Sequence, residues 1–190
     1  MTLDKPLQWI FEMGLLKRTP RSGWSLLGIR NPESVADHSF RCAAIGYILA
    51  HMEGADAHRV MVMTLFGDLH EARITDLHKM AQHYVDADAA EDRAFADQIE
   101  GLPAGIHGDL SGMRADYRAQ ESKESIIARD ADILECLIQA KEYSEQGNPA
   151  AVEFTKNAGH LATDSARRLW NLAESTDVNA WWRAIGVFGR

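Results

Sequence analysis

Three short stretches carry the residues best suited to chemistry. Asp37 and His38, then Asp68, His70 and Glu71, then Asp130, Asp132 and Glu135 bring acids and imidazoles into, or to the mouths of, segments 42–49, 60–69 and 126–138, which are otherwise apolar. Segments apolar nearly all round read as helices inside a bundle rather than on its surface. A lone buried carboxylate is so costly that it neutralises or finds a cation, so three core helices each bringing such groups point to a shared metal ion. Imidazole with carboxylates and no thiolate suits Mn, Fe, Co, Ni or Mg better than a cysteine-rich zinc site. The chemistry would be Lewis-acid activation of water, with the ion also gripping an anionic oxygen. Ion pairs at helix ends would produce the same residue list, and at this level both readings stand.

The elements that must position these groups read as helical throughout. Apolar residues recur at three and four, and β-branched residues never alternate with polar ones over a strand's length. The spacing predicts a first helix over 7–17, then a loop holding Pro20, Gly23, Gly28 and Pro32. Ser34 with Asp37 forms a capping box that opens a helix to about Met52, with Gly54 as its stop. Asp56 caps a helix over 57–73, Thr75 or Asp76 starts a shorter one to Val85, and 88–100 forms an acidic amphipathic one. Residues 101–112 read as loop. One long helix, bent along its length, covers 113–146 and is stopped by Gly147-Asn148-Pro149. Segments 150–158 and 159–174 lead to Trp181-Trp182. No internal repeat or linker divides the chain, so 1–190 is expected to be one domain.

With 190 residues and 46% hydrophobic content, the chain can bury a core without staples. Its 20 Lys and Arg against 28 Asp and Glu give a formal charge of −8, which argues against nucleic acid as a partner. Cys42 and Cys136 sit in apolar stretches and read as reduced core fillers. No run approaches the length of a membrane span, and a cytoplasmic location is expected.

Pro32-Glu33-Ser34-Val35-Ala36-Asp37-His38-Ser39, Gly67-Asp68-Leu69-His70-Glu71-Ala72-Arg73 and Arg129-Asp130-Ala131-Asp132-Ile133-Leu134-Glu135 resemble, in order and spacing, the HD-domain metal-dependent phosphohydrolases. The similarity runs from about Leu16 to Tyr143 and is strongest to the group containing the 5′-deoxynucleotidases. Residues 71–85 and Trp181-Trp182-Arg183 also resemble an archaeal-type subgroup of small HD proteins. The resemblance implies an all-α orthogonal helical bundle, a single divalent ion, hydrolysis of nucleoside 5′-monophosphates and a homodimer.

Carried over by position, His38, Asp68 and Asp132 match metal ligands and Glu71 the carboxylate that orients or deprotonates water. Asp76 matches an acid near the sugar, and it could equally cap the helix starting there. Arg21 and Trp24 fall where the family uses an Arg-Trp pair against phosphate and sugar, here separated by Ser22 and Gly23. Lys79 and Arg73 are candidate phosphate neighbours. The family writes His-Asp at the doublet, and this chain has Gly67-Asp68. Glycine cannot ligate and costs about 1 kcal/mol against alanine inside a helix. The ion would keep three protein ligands plus water, or His70, one turn on, would reach inward. A second function therefore stands beside the enzyme: a nucleotide-binding protein with weakened metal affinity. A diiron oxygenase would need more ligands than the motifs supply, and a purely structural bundle would leave Asp68 and Asp132 unexplained. His51, His58, His78, His83, His107 and His160 lack partners at ligand spacing and read as surface residues.

Overall fold

Side-chain caps open six of the ten α-helices in the computed structural model, which describes residues 4–186 of the 190. Helix α1 (Asp4–Met13) passes into a 3-10 segment (Gly14–Lys17), and a second 3-10 segment spans Ser22–Leu27. Helix α2 (Val35–Glu53) opens on the expected capping box, with Ser34 Oγ accepting from the Asp37 N–H at 3.1 Å and Asp37 Oδ2 accepting from the Ser34 N–H at 2.9 Å. Gly54 closes it in the left-handed region at φ 67°. Helix α3 (Ala57–Leu65) is capped by Asp56, whose Oδ1 accepts from the His58 and Arg59 N–H groups. Then come α4 (Glu71–Ile74), α5 (Lys79–Gln82), α6 (Ala87–Ile99), α7 (Ala104–Ala119) and α8 (Lys123–Glu145). A 3-10 stretch (Pro149–His160), α9 (Asp164–Ser175) and α10 (Ala180–Arg183) follow. Among the described residues no strand forms, only an isolated bridge between Pro20 and Ser34.

The main core lies between α2, α3, α8 and α9. Leu49, Val60, Ile127, Leu134 and Leu137 are essentially excluded from water, and Trp170 closes the end. Each such aliphatic contributes about 1.5–3 kcal/mol. Helices α2 and α3 approach closely at Gly46, where a Cβ would come within 2.9 Å of Val60 Cγ1. A second cluster gathers Trp9, Leu16, Val35, Leu69, Phe95, Ile99 and Leu110. A third joins the front loop to the C-terminal part through Trp24, Ile29, Tyr143 and Ala151, with Phe154 against them.

Four expected elements differ. The 57–73 helix ends at Leu65, because Thr64 Oγ1 donates to Val60 O and Met61 O, and N–H bonds three residues back (Gly67 to Thr64, Leu69 to Phe66, Glu71 to Asp68) turn the chain. Gly67 is therefore in a turn, and the helix-interior cost expected for it does not arise. No helix starts at Thr75 or Asp76: α5 begins at Lys79, capped by His78 Nδ1 accepting from the Ala81 N–H. Residues 101–112 are not loop, since α7 runs through Gly105, Gly108 and Gly112 and buries Leu110. The 113–146 helix is two helices, broken where Gln120 adopts φ 53°. The ends shift too: the first α-helix is Asp4–Met13, 150–158 is 3-10, and α9 starts after Thr163, whose side chain accepts from the Ala166 N–H.

Candidate metal centre

Two long core helices bring one half of the site together. His38, on the first turn of α2, and Asp132, on α8, meet with Nε2 to Oδ1 at 3.1 Å. Asp68, in the turn after α3, completes the group, its Oδ2 lying 3.4 Å from the same nitrogen. The other ring nitrogen, Nδ1, stands 2.5 Å from Glu135 Oε2, one turn beyond Asp132 on α8 and fully buried. Arg41 Nε donates to the second Glu135 oxygen at 2.9 Å and its Nη1 pairs with Glu142.

The second half comes from short elements. Glu71, at the start of α4, is buried, and its Oε2 has no hydrogen-bond partner. Arg21 places Nη1 at 3.8 Å from Asp68, 4.0 Å from Glu71 and 3.9 Å from Asp76. Its guanidinium is thus held by charge at distances too long for hydrogen bonds to these acids. Asp76 Oδ2 accepts from the Ser22 N–H at 2.7 Å and so pins the front loop to the site. Between Glu71 and Asp76 the chain turns at Thr75, whose φ of 63° with ψ 169° is a region essentially reserved for glycine.

Electrostatics separate the acids. Burial, then the carboxylates of Asp68 and Asp76, push the Glu71 carboxyl well up, against the pull of Arg21 and His38. Burial would also raise Asp68, but hydrogen bonding and charge from His38, with Arg21, hold it below the usual carboxylate range. Two neighbouring acids driven apart in this way are the pattern of a proton acceptor beside a permanently charged ligand. Burial, opposed by the charge of Asp68, pulls the His70 imidazole below its ordinary range. The Cys42 thiol, 3.4 Å from His38 Nε2, is pushed by burial up to about 12 and stays protonated.

The donors fit a divalent cation. Asp68, Glu71, Asp76, Asp132 and Glu135 surround one imidazole and two guanidiniums, an excess of negative charge in a half-buried place. Carboxylate oxygens of Asp132 and Asp68 both approach His38 Nε2 with no ionised thiol beside them, and such donors are the ligand chemistry of Mn, Fe, Co, Ni or Mg.

The remaining sequence candidates scatter. His70 is near, its ligand atom within 4.8 Å of those of Asp68 and Glu71, with Nε2 toward Glu91 at 3.6 Å and Nδ1 buried without a partner. Trp24 does not face the acids: it is 2% exposed, its ring centroid lies 4.5 Å from that of Phe154 and 5.1 Å from that of Tyr143, and Nε1 donates to Glu33 Oε1. Lys79 is exposed and donates to Gln82, while Arg73 donates to Glu12, so neither joins the cluster. Asp130 has a structural task, accepting from the Ala162 and Thr163 N–H groups and from Thr163 Oγ1 ahead of α9. Sequence reasoning passes over Arg41 and counts Glu135 among the buried acids that point to a metal, without a task of its own. The available signal is Glu135 lying three residues after Asp132 on one face of an apolar helix.

At Gly67 a small cavity opens, about 20 Å³, walled by Met63, Phe66, Leu110, Met113, Arg114 and Tyr117. A Cβ there would meet only Met63 O at 3.4 Å and Thr64 O at 3.5 Å, ordinary contacts. Neither space nor backbone requires glycine at this position.

Known proteins are similar to this chain in sequence or in fold. The 5′-deoxynucleotidase HDDC2 of Danio rerio is 31% identical over 159 residues, covering 80% of this chain and 76% of that protein. The human 5′-deoxynucleotidase HDDC2 is 28% identical over 145 residues, 73% of this chain and 68% of that protein. The crystal structure of the PH0347 protein from Pyrococcus horikoshii aligns with a TM-score of 0.75 and 31% identity, over 89% of this chain and 96% of the other. The sequence profile of the HD domain matches residues 13–171, a span that holds His38, Asp68, Glu71 and Asp132 on their observed elements, and the chain belongs to the HD domain family.

Proposed function

We propose that this protein is a divalent-metal-dependent phosphohydrolase that releases phosphate from nucleoside 5′-monophosphates, the deoxy forms first among them. The observation that carries the reading is the convergence of His38 Nε2, Asp132 Oδ1 and Asp68 Oδ2 beside a buried Glu71 carboxyl with a free oxygen. The relatives named 5′-deoxynucleotidase supply the substrate class. His38, Asp68 and Asp132 would hold the ion, which when bound supplies Lewis acidity toward phosphate and water. Glu71 Oε2, unpartnered and raised in proton affinity, takes the proton of the attacking water. The Nη donors of Arg21 bind the phosphate oxygens, since no carboxylate has claimed them in a hydrogen bond. Asp76, fixed by the Ser22 N–H, faces the sugar, and Trp24 acts at one remove by seating the loop that carries Arg21.

The whole chain works as one domain, in the cytoplasm, and pairs as a homodimer. Among the described residues no helix is long and apolar enough to cross a membrane. Phe40, Tyr47, Ile48 and Met52 leave an exposed apolar stripe on α2, which supports the pairing.

A second reading, a nucleotide-binding protein with weak metal affinity, is favoured by Gly67 and its cavity. One experiment separates the two. Elemental analysis of the purified protein is run beside phosphate release from a panel of nucleoside monophosphates with Mn, Co or Mg. About one ion per chain and release from deoxynucleotides, both lost in Asp132→Ala, sustains the enzyme. Thermal stabilisation by nucleotide without metal or release under any ion sustains the binding protein instead.

A further inference from the structure

The imidazole of His38 is surrounded by more acceptors than it can serve. Glu135 Oε2 lies 2.5 Å from Nδ1, while Asp132 Oδ1 and Asp68 Oδ2 lie 3.1 and 3.4 Å from Nε2. With Nε2 given to an ion the ring keeps a single N–H, and the shortest contact sets it at Nδ1. Glu135 cannot turn away: it is fully buried, and its other oxygen receives Arg41 Nε at 2.9 Å, with Arg41 Nη2 at 2.7 Å. Arg41 is fastened in turn by Glu142 at 2.8 Å and by Gln139 Oε1 at 2.5 Å. A fixed charge chain thus runs from the face of α8 through Arg41 and Glu135 to the inner edge of His38. His38 and Arg41 stand on α2, and Glu135, Gln139 and Glu142 on α8. Every link therefore joins α2 to α8, and the chain is as rigid as the pairing of those two helices.

We propose that Glu135, held by Arg41, is the positioning residue of this centre: it keeps the proton of His38 on Nδ1 and leaves the Nε2 lone pair aimed between Asp68 and Asp132. The inference rests on the metal reading given above and gives Glu135, the last residue of the third motif, a task of its own. A carboxylate behind a ligating imidazole fixes its tautomer and ring orientation and makes it a better donor, and loss of such a partner costs 10- to 100-fold in metal affinity. The amide of Glu135→Gln can direct an N–H at Nδ1, which favours the opposite tautomer and puts a proton where the ion must bind.

The test uses the full chain stripped of metal. Co²⁺ is titrated into wild type and Glu135→Gln by calorimetry, and the visible absorption of each complex is recorded. The expected result is 10- to 100-fold weaker Co²⁺ binding and an altered Co²⁺ spectrum in the variant, with far-UV circular dichroism unchanged. Equal affinity with an identical spectrum overturns the inference and leaves the metal reading intact. Failure of wild type to take Co²⁺ overturns both. If Glu135→Gln does not fold, ring ¹⁵N spectra of wild type loaded with diamagnetic Zn²⁺ decide the matter. A protonated Nδ1 on His38 sustains the inference, and a protonated Nε2 or a metal-bound Nδ1 overturns it.

Discussion

The two halves of the centre are built in opposite ways. On one side, His38, Asp132, Glu135 and Arg41 stand on α2 and α8, helices of 19 and 23 residues packed through the main core, and the buried donors and acceptors are paired. On the other, Asp68, His70, Glu71 and Asp76 hang on a turn, a four-residue helix and a strained Thr75, beside a cavity and two buried atoms without partners. Core helices are the stiffest support a chain offers, and unsatisfied polar atoms are costly unless a ligand uses them. The first half is suited to setting where an ion sits. The second is suited to groups that gain their partners only with substrate present.

The contrast can be broken at its reactive end with the largest effect. Glu71→Gln keeps the shape and removes the proton acceptor; phosphate release is expected to fall 10²- to 10⁴-fold with metal content unchanged by elemental analysis. Loss of the ion as well would mean that Glu71 belongs to the holding half. Gly67→His should make the loose half resemble the rigid one. The wall admits a Cβ, so Co²⁺ affinity measured by calorimetry is expected to rise about tenfold, or about 1.4 kcal/mol.

A third variant probes an uneasy neighbour of the partnered half, Glu33 in the loop before α2. Burial, then the charge of Glu135, push the Glu33 carboxyl up to about 7, although the Trp24 hydrogen bond and His38 oppose this. Its folded form therefore holds a proton that the unfolded chain has already released, and stability from this group declines as pH rises from about 4.5 to about 7. Glu33→Gln, which can still accept from Trp24, is expected to flatten that decline in melting temperatures taken at pH 5 and pH 7. The smallest effect belongs to Thr75→Gly. Relief of the positive φ is expected to stabilise by about 1 kcal/mol, a rise of about 2–4 °C in melting temperature.

What the sequence made legible follows the same division. Ser34 with Asp37, Asp56 and Gly54 announce α2 and α3 through local bonds, and His38, Asp68 and Asp132 arrive together at one point. The turn at 66–70 was hidden because its apolar spacing continues that of α3 while the hydrogen bonds shift to three residues. Helix α7 was hidden behind Gly105, Gly108 and Gly112, residues that punctuate loops elsewhere. The break at Gln120 carries neither glycine nor proline. Trp24 looked like a ligand platform from its place in the motif, and only its packing against Tyr143 and Phe154 gives it another task. Arg41, and the task of Glu135, were opaque for a plain reason: their meaning lies in a pairing 94 residues apart.

That same span has a consequence for how the protein matures. His38 and Asp132 are 94 residues apart, so the candidate metal pocket does not exist until α8 has been synthesised and docked on α2. An ion bound there recognises only the finished fold and adds its binding energy to it, roughly 2.7 kcal/mol at a free concentration one hundred times the dissociation constant. A cell's supply of the metal would then govern how long each copy survives proteolysis as well as how fast it turns over substrate.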